Sequence, residues 1–357
     1  MFKNLLGKFS RDMGIDLGTA NTLVYAKDKG IVINEPSVVA INEKTQQILA
    51  VGESAKNMIG KTPAHITATK PLRDGVVSDF EVAEKMLKHF IDKVNKENFS
   101  ALPKPRVVVA IPLGVTEVER KAVEDAALAA GARQVFLIEE PMAAAIGARL
   151  PVQESTGNMI VDIGGGTTEI AIISLGGVVN SRSLRIAGDK LNQDIINYAR
   201  EKFNILLGEK TAEEVKIKIG TAITPKEGEE IEAKIRGRDL ITGLPKEIII
   251  NSSHIKDALN KTISNIIDNI KSTIETTPPE LVADIYDRGI CLTGGGGSLL
   301  GLDERIKNYL KIPVYLIDDP QTAVVRGTGI ILDDLDNLKD MLMTTADMPI
   351  IVNQSKP

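Results

Sequence analysis

Hydrophobic positions along the chain follow two periodicities, one typical of buried strands and one typical of amphipathic helices. Residues 107–111 form a continuous apolar run, as expected of a strand that is buried on both faces. Thr116 and, three residues later, Glu119 form a capping-box pattern, which predicts an Ala-rich helix ending near Gly131. Another apolar run at 135–138 predicts the next strand. Strands and helices alternate in this way over most of the chain, which predicts an α/β protein.

The same signals predict helix starts in the second half of the chain. Thr211 and Glu214 repeat the capping-box spacing, and Ser253 is a suitable N-cap for a helix over residues 254–275. After about residue 347 the chain is polar and lacks helix signals, so we expect a loose tail.

Two segments 146 residues apart carry the same pattern of strand and glycine-containing turn. Residues 13–22 (MGIDLGTANT) resemble residues 159–168 (MIVDIGGGTT), and at the same offset Gly30 matches Gly176. A strand, a turn, a strand, a turn and a third strand therefore occur twice. The offset is too long for a solenoid repeat, so the sequence predicts two lobes of similar topology, each opening with a β-hairpin.

Composition narrows the classes of function. The 357 residues are enough for about two domains, and 43% hydrophobic residues can form a sizeable core. A net charge of −5 and 3% aromatic residues, with no Trp, argue against nucleic-acid binding. The single Cys291 cannot form an internal disulfide, and three scattered histidines argue against a zinc site. Neither a membrane-spanning run nor a cleavable signal is present in the sequence, so we expect a cytoplasmic protein.

The paired hairpins suggest a phosphate site. Successive backbone N–H groups in a glycine turn can bind an anion, and the hydroxyls of Thr19 and Thr167 add donors. Two facing hairpins could hold a polyphosphate from both sides, with Mg²⁺ between it and the carboxylates of Asp16 and Asp162. Asp-Gly hairpins are also common structural turns, but two at a matched offset favour the phosphate interpretation.

A third glycine run follows a short apolar strand and precedes a helix that we expect to start near Leu299. Its bare backbone would let a base or ribose pack closely, although a flexible turn would have the same composition. The usual nucleotide signatures are missing: no GxGxxG follows a strand, and Ala55 occupies the first glycine position of the P-loop-like segment ending at 60–62. The run consists of Gly294, Gly295, Gly296 and Gly297.

Glu140 is a candidate for catalysis. Pro141 favours an extended conformation for Glu140 at the end of a strand, where open α/β sheets face their ligands. A glutamate there could orient a water for in-line attack on a γ-phosphate. A purely structural role at the helix N-terminus, through the helix dipole, is equally consistent with the sequence.

The N-terminus has an amphipathic pattern. Four apolar residues fall on one helical face, and the first 11 residues carry three cations and no acid. Such a helix is typical of an anionic membrane interface, although a leader packed against the first strand would look similar. A loop before Pro103 carries a second apolar pair, which could contact the membrane or plug the core. The candidate membrane residues are Phe2, Leu5, Leu6, Phe9, Phe99 and Leu102.

Together, these segments resemble the actin, sugar kinase and heat-shock chaperone ATPase superfamily, and more closely the MreB family of bacterial actin homologues. The resemblance covers about residues 10–335 and is strongest at 15–21, 136–147 and 161–169. It implies an actin-like ATPase fold: two similar lobes, each with a mixed sheet flanked by helices, and a nucleotide in the cleft between them.

The expected domain organisation follows from the repeat and the resemblance. A leader precedes two lobes, each of which carries a small subdomain, and a C-terminal helix packs back on the first lobe. The expected ranges are 1–12 for the leader, 13–150 for the first lobe (subdomain about 35–75), 151–330 for the second lobe (subdomain about 190–253), 331–347 for the helix and 348–357 for the tail.

The resemblance also implies roles at matching positions. Asp16 and Asp162 would hold Mg²⁺ largely through water, and Glu140 with Thr167 would position the attacking water. The phosphate loops would comprise Thr19, Ala20, Asn21, Gly165, Gly166 and Thr167. The adenosine contacts would be Glu213, Glu214, Val215, Lys216 and the glycine run from Gly294 to Gly297. Without the resemblance, a solvated surface ion pair would be the favoured interpretation of Glu213 and Lys216.

Members of the MreB family bind and slowly hydrolyse ATP, polymerise into paired antiparallel filaments on the inner membrane face, and direct peptidoglycan synthesis and rod cell shape. The implied partners are further copies of the chain, the membrane, and membrane proteins of the elongation machinery such as RodZ. A small-molecule kinase acting on a sugar or acetate is the alternative, and it would need an acceptor pocket. A chaperone ATPase would need a peptide-binding domain, for which 357 residues leave no room.

Overall fold

The computed structural model describes residues 12–96 and 104–343. The first lobe is built on a five-stranded mixed sheet in which β1 pairs antiparallel with β2 and parallel with β9. Across the sheet the strands are β10 (Gln134–Glu139), β9 (Arg106–Ile111), β1 (Met13–Leu17), β2 (Asn21–Ala26) and β3 (Gly30–Pro36).

The second lobe repeats this arrangement. Its sheet has the same order and the same mixture of parallel and antiparallel neighbours, which confirms the expectation of two lobes of like topology. Across the sheet the strands are β18 (Val314–Leu316), β17 (Ile290–Thr293), β11 (Asn158–Ile163), β12 (Thr168–Ser174) and β13 (Gly177–Leu184).

Smaller sheets lie beside each main sheet. In the first lobe they comprise β4 (Val39–Asn42), β5 (Gln47–Val51) and β6 (Ile66–Thr69), followed by the hairpin of β7 (Leu72–Arg73) and β8 (Val76–Val77). In the second lobe they comprise β14 (Ile205–Leu206), β15 (Glu232–Asp239) and β16 (Pro245–Asn251).

Helices cover the sheets. In chain order they are α1 (Glu53–Lys56), α2 (Phe80–Lys96), α3 (Glu117–Ala129), α4 (Glu140–Gly147), α5 (Gly188–Phe203), α6 (Glu209–Ile219), α7 (Ser252–Glu275), α8 (Pro279–Arg288), α9 (Leu302–Leu310) and α10 (Ala323–Asp333). Within the described ranges, no helix is both long and apolar enough to cross a bilayer.

Two helix starts depend on residues that the sequence patterns did not single out. Thr116 caps α3 in the expected box with Glu119. The Thr211 box is wrong, because α6 begins at Glu209 after an extended Gly208, so Thr211 lies inside the helix. Ser253 is also not a cap: Asn251 precedes α7, and its Oδ1 accepts a hydrogen bond from the His254 backbone N–H at 3.0 Å.

The helices near Leu299 and after residue 330 also differ from expectation. A 3₁₀ turn, Gly296–Ser298, and a left-handed Gly301 precede α9, so that helix starts three residues late. Of the helix expected over 331–347, the described part, up to Met343, is not continuous helix: α10 ends at Asp333, and a 3₁₀ turn, Lys339–Met341, follows within that part. Met343 then forms an isolated β-bridge with Leu137 of β10. Its backbone N–H bonds to a strand of the first lobe and not to a carbonyl group within a helix.

Helices α4 and α10 cross between the lobes at backbone contact. A Cβ added at Gly327 would lie 1.8 Å from the Ala143 carbonyl oxygen, and one added at Gly147 would lie 1.9 Å from that of Ala323. Each helix follows a strand of one lobe and packs on the other lobe's sheet: α4 on β11 and β12, α10 on β1, β2 and β9. The lobes therefore share one hydrophobic core at the base of the cleft between them.

Replacing Gly327 by Ala is expected to destabilise the fold by about 1–3 kcal/mol or more, because the added methyl group forces the crossing helices apart. The urea midpoint of unfolding measures this effect. Gly208→Ala is the matched control, since Gly208 has no heavy atom within 4 Å of its added Cβ. Equal midpoints for the two variants would contradict the close crossing.

Candidate functional site

The cleft lies where the two predicted hairpin turns face each other. The turn between β1 and β2 approaches the turn between β11 and β12 so closely that an added Cβ at Gly165 would lie 2.5 Å from the Ala20 Cβ. A Cβ at Gly166 would lie 2.6 Å from Thr19 Oγ1. Glycine is therefore required at both positions, and the bare turns bring their backbone groups to opposite sides of one cavity.

The structure brings most of the sequence-predicted site residues to this cleft. Those that line it are Asp16, Thr19, Ala20, Asn21, Glu140, Asp162, Gly165, Gly166, Thr167, Glu213, Lys216, Gly294, Gly295 and Gly296. Three others do not line it: Glu214 is exposed on α6, Val215 packs in the second lobe's core, and Gly297 lies against Leu292. A helix turns 100° per residue, so Glu213 and Lys216 share a face that Glu214 and Val215 do not.

Glu140 reaches the cleft in a different conformation from the one expected. The extended residue is Glu139 (φ −67°, ψ 133°), and Glu140 is the first residue of α4 with Pro141 next. Pro141 occupies the first helical turn, where its missing N–H leaves no helical hydrogen bond unmade. The carboxyl group of Glu140 is therefore presented from a helix N-terminus and is buried.

Three buried carboxyl groups converge at the base of the cleft. Burial raises the pKa of Asp16 to about 8, and the charge of Asp162 adds to this effect. Burial raises the pKa of Asp162 to about 6, against the hydrogen bond that Thr293 Oγ1 donates to Oδ1 at 3.0 Å. The pKa of Glu140 is raised well above its usual range by burial and then by the charges of Asp16, Glu169 and Asp162.

These carboxyl groups fit a Mg²⁺ site in which water and phosphate oxygens supply most of the ligands. Hard carboxylate oxygens suit Mg²⁺, and a divalent cation would stabilise their ionised forms against the burial that raises their pKa. In the part of the chain that the structure describes, no three His, Cys, Asp or Glu side chains form a complete metal shell. Asp16 and Asp162 would hold the ion with water and phosphate oxygens completing its coordination.

A fourth carboxylate, Glu169, was missed by the sequence analysis. It lies directly opposite Asp162 in the β11–β12 pair and is 1% exposed. Ser183 Oγ donates to Glu169 Oε1 at 2.8 Å, and burial raises the Glu169 pKa to about 7. The strand register could have located it, because a hairpin that turns at residues 164–167 places positions 162 and 169 side by side.

A glycine from the first lobe's small hairpin also enters the site. Gly75, in the turn between β7 and β8, donates its N–H to Thr19 Oγ1 at 3.0 Å. Its φ is +79°, and an added Cβ would lie 2.7 Å from Thr167 Cγ2. The Asp74-Gly75 pair predicts a tight hairpin turn, but no local pattern indicates that this turn touches both phosphate loops.

Glu213 and Lys216 each have a partner at the cleft. Lys216 Nζ donates to the Gly188 carbonyl oxygen at 2.9 Å, and burial lowers the Lys216 pKa. Glu213 Oε2 accepts from Lys56 Nζ of the first lobe at 2.9 Å. Ile217, which the sequence analysis passed over, lines the same part of the cleft as an exposed apolar side chain.

Gly294 joins this part of the cleft to Asp162. Its φ is +80°, and an added Cβ would lie 2.5 Å from Asp162 Oδ1, so only glycine fits.

The six candidate membrane residues lie outside the part of the chain that the structure describes. They are Phe2, Leu5, Leu6, Phe9, Phe99 and Leu102.

Comparisons with known proteins agree with this geometry. A family model described as MreB/Mbl protein matches residues 10–340. The cell shape-determining protein Mbl of Bacillus subtilis is 49% identical over 330 residues, covering 92% of this chain and 98% of the relative. The cell shape-determining protein MreB of Escherichia coli K12 is 52% identical over 340 residues, covering 94% and 97%.

Solved structures give the same result. MreB5 of Spiroplasma citri bound to ADP has a TM-score of 0.86 and 40% identity, covering 92% of this chain and 97% of that one; the AMPPNP-bound form matches equally. The MamK double helical filament has a TM-score of 0.75 and 22% identity, covering 90% and 98%, and so supports the fold alone. These matches confirm the actin-like fold that the motifs implied.

The buried carboxyl groups predict how stability depends on pH. Between the unfolded pKa of Asp16, near 3.8, and its folded value of about 8, the folded state holds a proton that the unfolded chain has lost. In a buffer that contains a metal chelator and no nucleotide, the free energy of unfolding should therefore fall as pH rises from 5.5 to 8.5. Asp16→Asn should flatten this dependence and stabilise the protein at pH 8.5 by on the order of 1–3 kcal/mol.

Urea unfolding at three pH values checks this prediction, and Asp287→Asn, on an exposed aspartate of α8, is the matched control. A pH dependence that is the same in the wild type and Asp16→Asn would contradict it.

Proposed function

The chain belongs to the MreB/Mbl family, and from this membership and the geometry of the cleft we propose that it is an ATP-dependent filament protein. On this proposal it binds ATP and Mg²⁺ between its lobes, hydrolyses ATP slowly, and assembles into antiparallel filament pairs. The filaments lie on the cytoplasmic face of the membrane and direct cell-wall synthesis. The observation that carries the proposal is the pair of facing glycine turns with Asp16 and Asp162 at their bases.

The phosphate chain would lie between the two turns. Backbone N–H groups of the turns and the hydroxyls of Thr19 and Thr167 are the available donors, and they come from both lobes. A bound Mg²⁺ would supply neutralisation of the phosphate charge. Because half of the donors belong to each lobe, the triphosphate would hold the lobes together as well as fill the cleft.

Glu140 is suited to position the attacking water. Its carboxyl group lines the cleft near Asp16 and Asp162, and α4 presents it from its first turn. In phosphoryl transfer the protein chiefly orients the reactants, and a carboxylate that accepts a proton from water can do so from this position. Glu140 must be ionised for this role, and a divalent cation beside Asp16 and Asp162 would favour that state by offsetting their charge.

We infer self-association from the membership of the MreB/Mbl family. The S. citri relatives were solved with ADP and AMPPNP, and MamK was solved as a filament. The nucleotide-bound relatives support nucleotide binding by this chain, and its self-association is proposed from its membership of the MreB/Mbl family. The antiparallel pairing and a membrane partner such as RodZ remain predictions from the family.

The topology supports a single membrane-facing end of the first lobe. Asp12 precedes β1, and Arg106 begins the parallel neighbour β9, with Met13 opposite Val107. Asp12 Oδ1 accepts from the Arg106 backbone N–H at 2.9 Å, which fixes the two chain segments side by side. Asp12 and Lys104, the first described residues before β1 and β9, therefore lie at the same end of the first lobe's sheet, and we propose that this end faces the membrane.

Glu140→Gln is expected to leave ATP bound and to slow phosphate release by about 10²-fold, because the amide cannot accept a proton from the attacking water. Phosphate release at saturating ATP and equilibrium binding of a fluorescent ATP analogue separate the two effects. Glu139→Gln, at the neighbouring residue outside the cleft lining, is the control. Unchanged phosphate release in Glu140→Gln would remove the assigned role.

Deleting residues 2–9 is expected to abolish co-sedimentation with anionic vesicles, because it removes four apolar side chains that would gain roughly 1.5–3 kcal/mol each on burial. Val118→Ser is the control: it replaces an apolar residue that is 78% exposed in the first turn of α3, the helix that follows the C-terminal end of β9. If the truncated protein pellets with vesicles as the full chain does, the membrane contact lies elsewhere.

A further inference from the structure

Two lysines of the first lobe reach across the mouth of the cleft to carboxylates of the second. Lys56, the last residue of α1, lies 2.9 Å from Glu213 Oε2 on α6. Lys70, between β6 and β7, lies 3.2 Å from Asp189 Oδ2 on α5 and 2.8 Å from Glu209 Oε1 on α6. We call these five residues the cleft latch.

The latch is partly shielded from solvent. The side chain of Lys70 is 23% exposed, those of Lys56, Glu213 and Asp189 about a third, and that of Glu209 51%. Water therefore screens the Lys56–Glu213 and Lys70–Asp189 pairs less than fully exposed pairs, and the Lys70–Glu209 pair more than those two. The pKa of Lys70 is raised: burial, the largest single influence, lowers it, but the charges and hydrogen bonds of Asp189 and Glu209 together outweigh burial. Lys70 is therefore charged when the lobes are closed.

The second-lobe side of the latch is connected to the nucleotide cleft. Asp189 lines the cleft, and its backbone N–H donates to the Gly165 carbonyl oxygen in the second phosphate loop at 2.8 Å. Glu213 also lines the cleft, and its pair with Lys56 uses Oε2. Opening the mouth of the cleft thus requires breaking ion pairs on side chains that line the cleft itself.

We propose that the cleft latch holds the two lobes closed and sets the rate at which nucleotide leaves. The second part rests on the proposed function, since it requires that the chain binds a nucleotide in the cleft. The first part does not, because the ion pairs join the lobes without any ligand. A lysine that pairs only within one lobe has no such effect, and Lys121, 3.1 Å from both Glu124 and Asp125 on α3, provides that comparison.

Lobe closure is tested on the ligand-free full chain by double electron–electron resonance, which measures the distance between two nitroxide labels. Nitroxides at Lys44→Cys and Lys202→Cys report on the two sides of the cleft, both positions being exposed while Cys291 is buried. Lys56→Met with Lys70→Met should shift the distances to longer values, and Lys121→Met should not. Raising salt from 0.1 M to 1 M shortens the Debye length from about 10 Å to about 3 Å, and should lengthen the distances in the wild type more than in the double variant.

The rate is tested by release of N-methylanthraniloyl-ADP from the same proteins. Each lost ion pair should speed nucleotide release by about two- to fivefold. Lys70→Met loses two pairs and Lys56→Met loses one, so release should be faster from Lys70→Met. Lys70→Glu should be fastest because it faces two carboxylates, and adding Glu209→Lys should restore part of the slow release by reforming one pair. This rescue separates an electrostatic latch from a packing effect of the substitution.

The distance measurement and the release measurement test separate claims, and each can fail without the other. If the wild type binds no N-methylanthraniloyl-ADP, the proposed function falls, and the distance measurement still decides whether the lysines hold the lobes closed. If the distances of the double variant equal those of the wild type at both salt concentrations, the latch is wrong even though nucleotide binds. Release rates of Lys70→Met equal to those of Lys121→Met would likewise overturn it.

Discussion

The close crossing of α4 and α10 is the constraint on which the rest of the structure depends. Glycines at 147 and 327 let the two backbones touch, and each helix packs on the sheet of the opposite lobe. The same crossing positions chemistry: α4 begins with Glu140, and the turn before α10 places Gln321 on the cleft. Because the floor of the cleft is a shared core, the lobes can move relative to each other mainly at its mouth.

The electrostatics of the site follow from that geometry. Asp16, Glu140 and Asp162 come from three segments of the chain and meet where water is largely excluded, so their pKa values rise. Close approach of the glycine turns would be of little use for folding alone, and buried like charges oppose it. Both features become favourable when a cation and a phosphate chain occupy the cleft, which is why we interpret them as functional.

Much of this arrangement could be predicted from local sequence. The repeated strand–glycine–strand pattern predicted the two matching sheets. Asp16 and Asp162, near the ends of buried strands, and Glu140, just after one, were expected at one cleft and line it. Glu169 needed the strand register, and Gly75 and Lys56 needed tertiary contacts that no periodicity encodes. The helix starts at Glu209 and Ser252, after the capping residues Gly208 and Asn251, differed from expectation because backbone conformation, and not the presence of a Ser or Thr, decides where a helix begins.

The most direct test of the account is negative-stain electron microscopy of the full chain with Mg²⁺ and ATP on an anionic lipid monolayer, beside a sample without lipid. We expect paired filaments lying on the lipid surface, because the nucleotide would close the lobes and many weak membrane contacts would add along a filament. Dispersed particles over a range of protein concentrations, in a protein that binds ATP, would contradict it and favour a small-molecule kinase.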